Sequence, residues 1–141
     1  MAANPTEYML LFRGTDWNKD LSAREMQDAI DRFTSWLDEL GKSGKLKIGQ
    51  PLADTGKVVS GRKVRTVADG PFAESKEAVG GYWLLQIDSM EEAVQFAEAC
   101  PLLDFGAAIE VRPILEQCLA MKLVDEFREQ AANDEYEHAN A

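Results

Sequence analysis

Between Asp69 and Tyr82 the chain reads DGPFAESKEAVGGY, and the residue types there narrow what the backbone can do. Asp69 can start a turn by bonding its own backbone, Gly70 admits positive φ, and Pro71 fixes the next φ, so Asp69-Gly70-Pro71-Phe72 is expected to be a rigid turn with Phe72 placed to plug an apolar pocket. Glu74, Lys76 and Glu77 follow with alternating charge. Gly80-Gly81 then opens Tyr82-Trp83-Leu84-Leu85-Gln86-Ile87, the clearest strand in the chain.

Around that strand the hydrophobic pattern supplies the other elements. Tyr8 to Phe12 is a short apolar run ending at Arg13-Gly14, as a buried strand would. Met26, Ile30, Phe33, Trp36, Leu37 and Leu40 recur at intervals of three and four, which predicts a helix from Leu21 to Leu40 ended by Gly41. Its start can be capped by Asp20, or by Ser22 with Glu25 at the reciprocal position. Leu46 to Gln50 and Lys57 to Val59 suggest a hairpin-like excursion, and Lys63 to Val67 a half-exposed strand. Ser89-Met90-Glu91-Glu92 reads as a capping box opening a second helix towards Cys100-Pro101, and Ala108 to Ile114 as the last strand.

Strand, helix, strands, strand, helix, strand is a βαββαβ plan: a ferredoxin-like α+β fold with one antiparallel sheet and helices on one face. The other face would be left open, so burial against a second copy, a homodimer, is expected. A third helix is predicted from Leu115 to Gln130, with Leu119, Leu123 and Phe127 recurring every four residues and Val124 beside them, laid across the partner. One domain over residues 1–130 is expected, with 131–141 a polar, acidic, disordered tail.

The formal net charge of −10 and pI near 4.5 argue against direct nucleic-acid binding, which needs clustered Lys and Arg. No run is long and apolar enough for a membrane span, and Met1 to Glu7 lacks signal-peptide character. Cys100 and Cys118 read as small buried hydrophobes, reduced in a cytoplasmic protein, rather than a disulfide pair. Basic residues are nonetheless concentrated between Lys42 and Arg65, where Asp54 is the one acid. They could attract an anionic ligand or act as solvated strand-edge charges.

Candidate chemistry centres on Asp69, a carboxylate on a rigid turn and hence a possible general base. A Glu74-Lys76 pair could close a pocket mouth, with Arg65 or Arg112 providing positive charge and Tyr8, Tyr82 and Arg13 adding polar tips. His138, the single histidine, lies in the polar tail, which removes Ser-His and Cys-His catalysis. No phosphate loop or metal-ligand spacing is present, so no cofactor and no metal are expected.

In YMLLFRG, DGPFAESKEAVGGYWLLQIDSMEEAVQFAE and IEVRPI, together spanning roughly Tyr8 to Ile114, the chain resembles the DGPF proteins, a branch of the YCII-related group. The resemblance implies a ferredoxin-like subunit in a dimeric α/β barrel and a cleft near Asp69, Phe72, Glu74 and Lys76. The wider group includes proteins with a proposed His-Asp catalytic pair and a dehydrochlorinating enzyme of aromatic breakdown; this chain has no histidine to match that pair. Association of such relatives with extracytoplasmic-function sigma factors implies a sensing or accessory role in transcriptional regulation.

Two functional readings follow. The first is a dimeric small-molecule-binding protein with ligand contacts from Arg65, Phe72, Glu74, Lys76, Tyr82 and Arg112 around Asp69. The second is a cofactor-free lyase or isomerase on a small anionic or cyclic substrate, with Asp69 as general base, which requires Asp69 to be buried and desolvated.

Overall fold

Alternation along the strands, with the helices drawn to one side, gives this chain its form. The computed structural model describes residues 5–14, 16–70 and 78–140. In chain order these form β1 (Tyr8–Arg13), α1 (Ala23–Lys42), β2 (Leu46–Pro51), β3 (Lys57–Ser60), β4 (Thr66–Asp69), β5 (Val79–Leu85), α2 (Met90–Glu98), a 3₁₀ turn at Pro101–Phe105, β6 (Ala108–Pro113) and α3 (Leu119–Ala139). The fold is mixed α+β. Among the described residues its main sheet has four antiparallel strands in the order β2-β5-β1-β6, and β3 and β4 pair only with each other. The main sheet is open rather than closed into a barrel.

Register assigns the two faces. Tyr8, Leu10 and Phe12 stand opposite Leu85, Trp83 and Gly81 on one side and Pro113, Val111 and Ile109 on the other, so these residues share a face. Helices α1 and α2 cover that face. Leu10, Leu85, Leu40 and Cys100 are the largest fully buried side chains. On the opposite face, one row across the strands runs Gln50, Tyr82, Leu11, Glu110, and the next runs Ile48, Leu84, Met9, Arg112. Among the described residues no helix buries these rows: Ile48 is 44% exposed, and Met9, Leu11, Tyr82 and Leu84 are only half-buried.

Both ends of α1 follow from local chemistry. The Ser22 hydroxyl accepts from the Glu25 N–H and the Glu25 carboxylate accepts from the Ser22 N–H, each at 3.1 Å, completing the capping box. The Ser22 backbone bond, and its hydroxyl second, hold the Glu25 carboxyl below its ordinary value. At the other end the helix continues through Gly41 and Lys42. Gly44, not Gly41, adopts positive φ (75°), and the helix ends at Lys42, two residues later than the glycine pattern suggested. In α2 the Ser89 hydroxyl accepts from Glu92 N–H at 3.3 Å, while the Glu92 carboxylate pairs with Lys45.

The second half of the excursion differs from the expected strand at Lys63 to Val67. Residues 61–65 are the connection of the hairpin, and β4 begins at Thr66. Gly61 turns the chain at φ 113°, with Val64 O packed where a Cβ would stand, and the Arg65 guanidinium donates to Gly61 O and Arg62 O. Those carbonyls claim the Arg65 head group.

Helix α3 starts at Leu119 and runs to Ala139, so residues expected to form a frayed tail continue the helix. Every residue of it is exposed. Among the described residues no helix is long and apolar enough to cross a membrane.

Gly41 gives a direct test of the α1 boundary. It is helical and a Cβ there meets nothing within 4 Å. Gly41→Ala should therefore stabilise the protein by about 0.5–1 kcal/mol in urea unfolding. Destabilisation would mean that Gly41 carries a non-helical stop.

Candidate functional site

Trp83 projects from β5 towards α1 into a group of aromatic rings. Its ring meets Trp36 at 5.2 Å and Phe33 at 6.0 Å from α1, and Phe12 at 6.1 Å from β1, all edge-to-face. Phe33 and Trp36 stack at 5.7 Å along α1. The Trp36 indole N–H donates to Phe96 O at 3.1 Å, tying the back of the cluster to α2. On the side facing β2, Trp83 lies over Gly49, its direct partner in the ladder; a Cβ on Gly49 would stand 2.5 Å from the indole Cδ1. Only glycine leaves this surface flat enough for the ring.

In front of that cluster lies a cleft of about 560 Å³ between α1 and the β2–β5 edge. Its walls are Phe12, Trp83, Phe33, Leu37, Leu46 and Leu102, with Trp17, Ile30, Pro51, Gly80 and Gly81 completing the lining. Among the described residues Gln50 is the one polar residue lining it, and by strand alternation its side chain belongs to the opposite face with Tyr82. None of the described lining residues is charged. A cavity of this size falls within the range that accommodates small organic ligands, about 300–1,000 Å³. Ile30, 46% exposed, is an apolar side chain facing solvent at the cleft.

The residues singled out from sequence fall into separate places. Asp69 ends β4, its side chain 79% exposed and paired with Lys57 across the hairpin. Arg65 stands at the other end of the same strand with its guanidinium on the turn carbonyls. Tyr82 and Arg112 lie on the open face of the main sheet, in adjacent rows and on strands separated by β1. There Glu110 sits between two arginines, 2.9 Å from Arg13 and 3.5 Å from Arg112. Tyr8 is buried in the core. Phe72, Glu74 and Lys76 lie outside the described residues.

Nor does the described structure assemble a reactive group at the cleft. Cys100 is buried and burial pushes its thiol up, away from the reactive thiolate; Cys118 is exposed at the start of α3. Among the described residues no three His, Cys, Asp or Glu side chains gather as a metal site. The cleft residues were read from sequence as core, because Ile30, Phe33 and Leu37 belong to the helical stripe and Trp83 to the strand. A glycine inside the short β2 run, opposite a tryptophan strand, was the one local sign that a ring needed room.

Gly49→Ala should force the Trp83 indole off β2, costing about 1–3 kcal/mol in urea unfolding and altering the near-ultraviolet circular dichroism of the tryptophans. An unchanged spectrum would show that the ring does not rest on this glycine.

The chain belongs to the YCII-related domain family, whose model matches residues 7–117, from the residue before β1 to the residue before Cys118. It is 35% identical over 101 residues to an uncharacterised protein, R00369, of Rhizobium meliloti (strain 1021), a match covering 70% of this chain and 79% of the relative. Helix α3 lies beyond the matched residues.

Proposed function

We propose, from YCII-related membership and the geometry of the cleft, that this protein binds a small, neutral, largely apolar molecule, with at least one flat ring, between α1 and the β2–β5 edge. One observation carries the reading: a cleft of about 560 Å³ walled, among the described residues, by aromatic and aliphatic side chains and by no charged one. Transfer of an apolar ring from water into such a cleft is favourable by about 25 cal/mol per Å² buried, whereas an ion would lose hydration without a partner. The basic residues that suggested an anionic ligand are instead engaged in part elsewhere, Lys57 with Asp69, Lys47 with Glu7, and Arg65 with backbone carbonyls.

The subunit in this reading is ferredoxin-like, and two copies close over the open sheet face as a dimeric α/β barrel. The rows containing Met9, Leu11, Ile48 and Leu84 supply the apolar part of that interface. A lyase or isomerase using Asp69 as base gains no support, because that carboxylate is exposed and paired rather than desolvated. Binding without turnover accords with a cytoplasmic sensor or accessory factor in regulation, the role implied by the resemblance to DGPF proteins.

Titration with N-phenyl-1-naphthylamine, a neutral aromatic probe whose emission rises in apolar surroundings, tests the site. Saturable enhancement is expected, reduced at least tenfold in affinity by Ile30→Glu at the cleft and unchanged by Asp69→Ala. Binding lost in Asp69→Ala but retained in Ile30→Glu would place the ligand at the Asp69 turn and overturn the assignment to the cleft.

A further inference from the structure

Helix α3 and the β3–β4 hairpin are two elements that the described subunit leaves without cover. We infer that they cover each other between subunits: α3 of one copy docks on the β3–β4 hairpin of a second copy of this chain. The inference rests on the dimer proposed above and adds to it which elements are exchanged.

A helix of 21 residues is about 30 Å long and, isolated in water, only marginally stable; most helices in proteins are held by packing of one face. Yet no residue of α3 is buried, and its N-cap, Cys118, makes no side-chain capping bond. Its first three turns carry Leu119, Leu123 and Phe127 at intervals of four with Val124 beside them, and Phe127 is 72% exposed. This is an apolar stripe with nothing on it.

The hairpin has the complementary deficit. A lone two-stranded ribbon is marginal in water, and all residues from Lys57 to Asp69 are exposed. Val59 and Val67 face each other across its strands at 63% and 64% exposure, on the side shared with Lys57 and Asp69, and Val64 in the connection is 79% exposed.

Charge selects the pairing. Asp125, Glu126 and Glu129 flank the apolar stripe of α3, and Asp134, Glu135 and Glu137 follow, against Lys122 and Arg128. The hairpin carries Lys57, Arg62, Lys63 and Arg65 against Asp69; Lys57 already pairs with Asp69 and the Arg65 head group lies on backbone carbonyls, so Arg62 and Lys63 are the charges on which the pairing chiefly draws. An acidic amphipathic helix meeting a basic ribbon of valines buries apolar surface and brings opposite charges together at its rim.

Topology explains why the partner is a second copy. Helix α3 follows β6 and the hairpin follows β2, and β6 and β2 are opposite edges of the sheet. A two-fold axis running along the strands, with the open faces together, sets one copy's β6 edge over the partner's β2 edge. The end of β6 is level with Tyr8 and the end of β2 with Phe12, so the two elements leave opposite ends of the strands, and a helix about 30 Å long running back along the edge spans the roughly 13 Å between those levels.

Full-length protein labelled with ¹⁵N and unlabelled protein, unfolded and refolded together, would be treated with a zero-length carbodiimide cross-linker and digested for mass spectrometry. Mixed-isotope links joining Lys57 or Lys63 to Glu126, Glu129 or another α3 acid are expected. In parallel, Phe127→Glu, a change at an exposed position in the subunit, should weaken dimerisation at least tenfold by light scattering. A dimer lacking mixed-isotope α3–hairpin links overturns the exchange and leaves the dimer standing; a monomer at micromolar concentration overturns both. Links confined to one isotope place α3 on its own hairpin and also overturn the exchange.

Discussion

The packing of the Trp83 indole against Gly49 is the constraint on which the site depends. The ring is held edge-to-face by Trp36, Phe33 and Phe12, so it fixes the height of α1 over the sheet. It also forms a wall of the cleft. Core and cleft wall are therefore one aromatic group, its back anchored through the Trp36 indole to the Phe96 carbonyl and its front open beside Ile30. A residue larger than glycine at position 49 would alter both at once.

Charge is sorted away from this cleft. The chain carries a formal charge of −10, but the described ion pairs lie on the outside, as between Arg32 and Asp104 or Lys47 and Glu7. Pairs as exposed as these contribute roughly 0–1 kcal/mol each and do not hold the fold together. Their bearing is on recognition. A cleft without charge among its described residues, in an acidic protein, is the basis for proposing a neutral ligand over an anion, and the separation of acidic α3 from the basic hairpin is the basis for proposing contact between copies.

Much of the fold was legible because it is written in local periodicity. The stripe from Met26 to Leu40 gave α1 within two residues at each end, and Gly80-Gly81 with the following apolar run marked β5. Ser22 and Glu25 announced their reciprocal cap. The hairpin was blurred because Lys63 to Val67 alternates like a strand, while Gly61 and the Arg65 bonds to Gly61 O and Arg62 O turn the first part of it into a connection. The cleft was not legible: its walls come from β1, α1, β2 and β5, and each residue has the pattern expected of core. Whether Phe33 and Trp83 enclose space or fill it depends on the offset between α1 and the β2 edge, which no local spacing encodes.

The most direct measurement is ¹⁹F NMR of protein carrying 5-fluorotryptophan, titrated with a neutral bicyclic aromatic such as naphthalene. Trp17, Trp36 and Trp83 are the three tryptophans, and Trp17 and Trp83 line the cleft while Trp36 backs it. Saturable displacement of the Trp83 and Trp17 resonances, with Trp36 moving less, is the predicted result. Resonances that stay in place at ligand saturation of the solution would contradict an aromatic-binding cleft.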